Sequence, residues 1–177
     1  MPFFDSPDDE EDEHLTVREL LTEMKDISEV IVDLAYAALL FDSQEIGAEV
    51  HHLGSRMDTL NHEIKIRMML ASRTKQDAVQ LSVLLQVAEG AAAISKAAGD
   101  IVDLLELNPK GSPIVSLVLK EAEEKIRLQT LSDQSDMKGK SLESLSVETE
   151  TGMRIIAIKR GIRWIYDPDK EVTLKEG

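Results

Sequence analysis

The sequence predicts an α+β protein: an antiparallel three-helix bundle followed by a small unit of β-α-β-β order. Three observations carry that prediction. Apolar residues recur at alternating three- and four-residue steps over three long stretches between residues 17 and 105, the spacing of one helix face. After residue 125 that spacing stops, and short β-branched runs between turn residues replace it. Hydrophobic residues make up 42% of the chain but aromatics only 3%, so the core must be aliphatic, which suits helix-on-helix packing.

The helices follow in order. Thr16-Val17-Arg18-Glu19 has the spacing of a capping box, a hydroxyl followed three residues later by a carboxylate. The first helix then places Leu20, Met24, Ile27, Ile31, Leu34, Ala38 and Phe41 on one stripe. Asp42-Ser43 ends it and caps the second, which carries Ile46, Val50, Leu53, Met57, Leu60 and Ile64 and runs to about Ala71. Ser72-Arg73-Thr74 is the break before the third, whose stripe is Leu81, Leu84, Ala88, Ala91, Ser95, Ala98, Val102 and Leu105. Its middle is small-sided, with Gly90 and Gly99 among five alanines. Glycine weakens a helix interior, so a close helix crossing or a dimer contact is expected there. Short connections make successive long helices antiparallel.

Asn108 to Gly111 reads as a turn, and Ser112-Pro113 as the start of a short fourth helix to about Glu124. The domain boundary is expected near residue 125. Beyond it, Ile126 to Leu131 is expected as a strand and Ser141 to Leu145 as one or two helical turns. Arg154 to Ile158 and Arg163 to Tyr166 are expected to pair as a hairpin across Arg160-Gly161, with Val172 to Leu174 extended. The unit is expected to be a compact sensor with a core of its own. At some fifty residues it buries little surface alone, so a homodimer is expected.

Composition excludes several classes. The chain has no cysteine, so thiolate catalysis, disulfides and zinc–thiolate sites are ruled out. The net charge is −14. Residues 125–177 hold ten Lys/Arg and nine Asp/Glu, or +1, leaving −15 on the first 124. Such a surface repels phosphate backbones, so nucleic acid is not an expected partner. Residues 1–14 form an acidic tail, with seven acids between Asp5 and Glu13. No uninterrupted apolar run approaches the ~18 residues of a bilayer span, and the acidic N-terminus is the reverse of a secretory signal. A cytoplasmic protein without membrane insertion is expected. No nucleophile-elbow, P-loop or Gly-x-Gly-x-x-Gly pattern is present, so no enzyme activity is expected.

Two resemblances sharpen the functional expectation. Met24 to Glu29 and Val32 to Tyr36 are similar to the first helix of PhoU-like proteins, and residues 15–124 correspond to one PhoU-type repeat. Residues 125–177 resemble the TrkA-C domain, the C-terminal half of the RCK module of potassium channels and transporters. The matching residues are Gly139 to Leu142, Thr151-Gly152, Ile155 to Arg160, Trp164 to Pro168 and Leu174 to Gly177. The family pattern continues with a further apolar strand where this sequence stops at Gly177. The TrkA-C resemblance implies a dimeric sensor of a small ligand, such as a cyclic dinucleotide or adenine nucleotide. It would act as a regulatory subunit of a potassium or other cation channel or transporter.

Arg154, Lys159, Arg160 and Arg163 gather around the hairpin and are the candidate ligand-binding residues, since guanidinium groups pair well with phosphates. The PhoU resemblance implies a metal set from Asp26, Glu29, Asp33, Asp100 and Asp103. Glu29-x-x-x-Asp33 puts two carboxylates on one helix face, as hard cations require. Ala92 and Lys96 stand where the family pattern places its other Glu and Asp, so metal is the lesser expectation. A metal-binding adaptor in phosphate signalling and a structural dimer without ligand are the alternative readings.

Overall fold

The structure, a computed structural model, describes residues 15–107 and 126–177. The expected acidic tail, the turn at 108–111, the helix at 113–124 and the boundary at 125 lie outside the described residues. Three long helices pack together: α1 (Val17–Phe41), α2 (Gln44–Ala71) and α3 (Lys75–Asp103). A short 3₁₀ turn follows at Leu104–Leu107. The C-terminal unit holds two short helices, α4 (Leu142–Leu145) and α5 (Val147–Thr151). It ends in an antiparallel hairpin of β1 (Ala157–Arg160) and β2 (Arg163–Tyr166).

The helix ends have local causes. The Thr16 hydroxyl accepts the Glu19 amide at 3.3 Å, and the Glu19 carboxylate accepts the Thr16 amide at 2.6 Å, closing the expected capping box. Asp42 ends α1 in the left-handed conformation, φ 54°. Ser43 then caps α2 by accepting the Ile46 amide at 3.2 Å. A second capping box, Thr74 with Asp77, starts α3; the sequence reading took Thr74 only as part of the break.

The bundle core follows the stripes. Leu20, Met24, Ile31, Val50, Met57, Leu60 and Ile64 are fully buried, each contributing about 1.5–3 kcal/mol relative to an exposed side chain. α1 also buries Val30, Ala37 and Leu39, outside its stripe. α3 buries Ala88, Ser95, Ala98 and Val102 and the 3₁₀ turn buries Leu105, while Leu84 stays exposed. α2 approaches α3 closely at Gly47, where an added Cβ would lie 2.9 Å from Val102 Cγ1 and 3.1 Å from Leu105 Cδ1. Polar clasps join the rods at the surface. Arg56 on α2 grips Glu23 on α1 with two bonds, 2.6 and 2.9 Å, and this bond is the main reason its guanidinium pKa is raised. Lys65 on α2 meets Glu89 on α3 at 3.7 Å.

Gly90 is different. A Cβ there would meet nothing within 4 Å, so no contact within the described residues requires a glycine. It still costs about 0.5–1 kcal/mol relative to alanine in a helix interior.

Membrane length also needs a correction. Lys75–Glu106 is long and apolar enough, by length and composition, to cross a bilayer, with mean hydropathy 1.4 over its best window. Glu89, Lys96 and Asp100 interrupt it, which is why no continuous apolar run was visible. In this fold it packs against α1 and α2 as a bundle helix.

The C-terminal unit departs from expectation in three ways. β1 starts at Ala157, three residues later than expected, and pairs in the register Ala157↔Tyr166, Ile158↔Ile165, Lys159↔Trp164 and Arg160↔Arg163. Gly161, φ 60°, leads the two-residue turn, the position where a II′ turn takes glycine. Second, Ile126 to Leu131 is irregular, whereas Val172 to Leu174 runs extended beside Gly139 to Leu142, joined by Leu142 N–Val172 O, Leu174 N–Lys140 O and the bridge Ser141↔Thr173. The sheet therefore has two strands, because Ile126 packs against the bundle core instead of pairing along the hairpin. Third, Leu174 is the only buried residue among those described after 125, at 9% exposure. Ile156, Ala157, Trp164 and Tyr166 pack against the bundle core. These four side chains tie the unit to the bundle.

Candidate functional site

The C-terminal unit meets the bundle through a row of polar bonds around the hairpin. Arg154, just before β1, reaches Asp33 on α1 at 3.4 Å and Asp167 after β2 at 3.8 Å. Lys159 on β1 pairs with Glu45 on α2 at 2.5 Å. The Tyr166 hydroxyl on β2 donates to the Glu49 carboxylate on α2. Burial, and then that bond, push the Tyr166 phenol well above its ordinary pKa. Asp33 shares a flank of α1 with Val30 and Ala37, three and four residues away. Val30 and Ala37 both belong to the bundle core.

Beside this junction lies an open cleft of about 430 Å³ between α4–α5 and the segment after β2. Ser146, Glu148, Met153, Arg154, Asp167 and Lys170 are among its lining residues. Ser146 (φ 47°) and Asp167 (φ 38°) are two of the three non-glycine residues with left-handed backbone among those described. Such conformations cost energy and concentrate at ligand clamps. The cleft mixes two cations, several carboxylates and hydroxyls, with apolar contact from Met153 and Ile155. Within it Lys170 pairs with Glu143 at 3.6 Å, and Arg154 with Asp33 and Asp167.

The residues singled out from the sequence divide accordingly. Arg154 lines the cleft and bonds to the bundle. Lys159 points to α2. The Arg160 guanidinium donates to the Thr173 carbonyl, tying the hairpin to the C-terminal segment, while Arg163 is exposed across the register from it. The four cations therefore do not converge on one point. Of the carboxylates, Asp26 and Glu29 clasp Lys25 at 3.3 and 2.9 Å; Glu29 first, then Asp26, raises the Lys25 pKa. Asp33 holds Arg154, Asp103 meets His51 at 3.4 Å, and Asp100 is exposed. Among the described residues no group of three His, Asp or Glu side chains is placed to hold a metal ion. Sequence reasoning missed Tyr166, Glu49 and Glu45, which belong to the junction. No spacing rule links residues so far apart in the chain.

The class defined at this point is a helical bundle with a hairpin-bearing unit docked on two of its helices. No family model matches the chain, and no curated protein matches it either.

Proposed function

We propose that the chain is a cytoplasmic regulatory subunit of potassium or other cation transport, acting by binding and not by catalysis. A small anionic ligand, of the cyclic dinucleotide or adenine nucleotide class, would occupy the cleft beside Arg154. One observation carries this reading: Arg154 belongs both to the cleft and to the Asp33 bond on α1. A phosphate can accept the same guanidinium bonds that the Asp33 carboxylate accepts. The Arg154–Asp33 pair is half exposed and contributes only about 0.2–1 kcal/mol. A bound phosphate therefore displaces Asp33 at small cost. Freed from Asp33, the unit redistributes between docked and loosened arrangements, and the bundle relays the change to the transporter. The shift cannot exceed the ligand's preference for one arrangement. The transport role itself rests on the resemblance of Gly139 to Gly177 to the TrkA-C pattern. The Arg154–Asp33 bond and the packing of Trp164 and Tyr166 against the bundle core supply a direct path from cleft to bundle.

The test is a thermal-shift titration with cyclic dinucleotides and adenine nucleotides. Stabilisation follows mass action, about 2.7 kcal/mol at a hundredfold excess over Kd. One member of the panel is expected to stabilise the chain, Arg154→Ala to remove the shift, and Arg163→Ala to retain it. A flat response across the panel, or a shift indifferent to Arg154, refutes the reading.

A further inference from the structure

The hairpin has two faces of opposite character. Cross-strand partners project from the same side of a sheet, and successive residues from opposite sides. Ala157↔Tyr166 and Lys159↔Trp164 therefore share one face, and Ile158↔Ile165 and Arg160↔Arg163 share the other. The first face lies on the bundle: Ala157, Trp164 and Tyr166 pack against its core, Lys159 pairs with Glu45, and Tyr166 bonds to Glu49. The second face turns away from the helices and ends in two arginines placed directly opposite each other. At the turn that joins them, Ile162 is 100% exposed. We propose that this tip docks on a membrane surface, with Arg160 and Arg163 on the phosphate of an anionic lipid and Ile162 at headgroup level.

The charges at the tip call for an anion. Like charges directly opposite on a sheet repel, and nothing in the hairpin offsets this pair. Arg163 is exposed and makes no hydrogen bond or ion pair among the described residues. Arg160 donates to the Thr173 carbonyl, which carries no charge, and its Nε is buried without a hydrogen-bond partner. The two other cations of the region are already answered, Arg154 by Asp33 and Asp167 and Lys159 by Glu45. The uncompensated positive charge is thus confined to Arg160 and Arg163. A phosphate placed between two guanidinium groups accepts from both and removes the repulsion.

Ile162 decides which phosphate. A free phosphate leaves this side chain in water. A lipid phosphate brings an apolar layer directly beneath the anion, where cationic side chains reach the headgroups and apolar ones enter the acyl boundary. Nucleic acid offers phosphates without such a layer, and a net charge of −14 opposes extended contact with it. The same acidity acts weakly at the tip. The bundle carboxylates beneath the hairpin, Asp33, Glu45 and Glu49, are bonded to Arg154, Lys159 and Tyr166. Exposed charges farther than ~8 Å are largely screened in physiological salt. Lipid docking requires neither the cleft nor a ligand in it.

The test is co-sedimentation of the full chain with phosphatidylcholine vesicles that contain or lack phosphatidylglycerol. The wild type is expected to bind only the anionic vesicles, half-bound at on the order of 1 mM lipid, weaker than the ~0.1 mM of a single myristoyl chain. Salt at about 0.5 M is expected to release it. Arg163→Ala should weaken binding about fivefold, and Ile162→Ser about tenfold, with helix content unchanged in both. Because the chain lacks cysteine, Ile162→Cys carrying an environment-sensitive dye reports on the tip alone; its emission should shift to the blue with anionic vesicles and stay unchanged with inorganic phosphate. A chain left in solution at ~10 mM anionic lipid overturns the proposal, as does equal binding to neutral vesicles or binding indifferent to Arg163→Ala. A dye that stays in water while Arg163 still governs binding shows an anion site without lipid and overturns it too. So does a tip that takes a poly-glutamate peptide in preference to the vesicles.

Discussion

Removing the Tyr166 hydroxyl measures how firmly the C-terminal unit is held. Tyr166→Phe keeps the ring against the bundle core but deletes the bond to Glu49. A hydrogen bond to a charged group contributes about 1.5–3 kcal/mol when buried. Both residues are only partly buried, which brings the expected loss to about 1 kcal/mol, or a melting temperature lower by about 2–4 °C for a chain of this size. The pH dependence follows from the same bond. Burial first, then Glu49, disfavour tyrosinate, so the folded pKa lies above the unfolded value of about 10. A raised folded value means the contribution is fully present below the unfolded pKa. It is lost as pH rises from there through the folded pKa, at no more than about 1.4 kcal/mol per pH unit. Urea melts at about pH 7 and pH 11 should show this loss in the wild type and its absence in Tyr166→Phe. Tyrosinate absorbance in a Tyr36→Phe chain, where Tyr166 is the sole tyrosine, reads the titration directly. A Tyr166 that ionises near pH ~10 in the folded chain, together with an unchanged melt of Tyr166→Phe, would refute the reasoning.

Two other changes probe the bundle. Ser95 is 2% exposed, faces Gly54 on α2, and its hydroxyl has no hydrogen-bond partner among the described residues. Ser95→Ala removes that unpaired group and adds helix propensity, so chemical denaturation should show a gain of about 1 kcal/mol; a loss of that size would mean the hydroxyl is satisfied. Glu19 has its pKa lowered, first by the bond from the Thr16 amide and then by the Thr16 hydroxyl. A depressed folded value makes its contribution present above the unfolded pKa of about 4.3 and lost as pH falls through the folded one. The protection of amides in the first turn of α1, measured against their intrinsic exchange rates, should therefore fall at acid pH in the wild type and stay flat in Glu19→Gln. Equal pH response in the two chains contradicts the cap.

Much of the bundle was legible because its causes are local. A hydroxyl three residues before a carboxylate, or Asp-Ser between two apolar stripes, decides helix ends within one turn. The inward positions of α1 and α2 followed from spacing alone. α3 was harder to read. Its residues are small and apolar on both faces, so spacing named the inward stripe of Ala88, Ser95, Ala98 and Val102 but hid the outward one of Val79, Val83, Val87 and Ile94. After residue 125 the hairpin was legible through Gly161 and the β-branched run. The strand at Ile126 was not, since a strand exists only where a neighbour supplies its hydrogen bonds, and periodicity does not report neighbours.

For the candidate site the division is sharper. The sequence alone placed four cations in or beside the hairpin and two carboxylates, Glu29 and Asp33, on one face of α1. It could not say that Arg154 belongs to Asp33, 121 residues away, or Tyr166 to Glu49, 117 residues away. Helix propensity, capping and amphipathicity are properties of neighbouring residues, and so the chain carries them wherever it goes. Ion pairs between distant elements exist only once burial of Trp164, Tyr166 and Ile156 against the helices has brought the two surfaces together, and tertiary packing alone decided that.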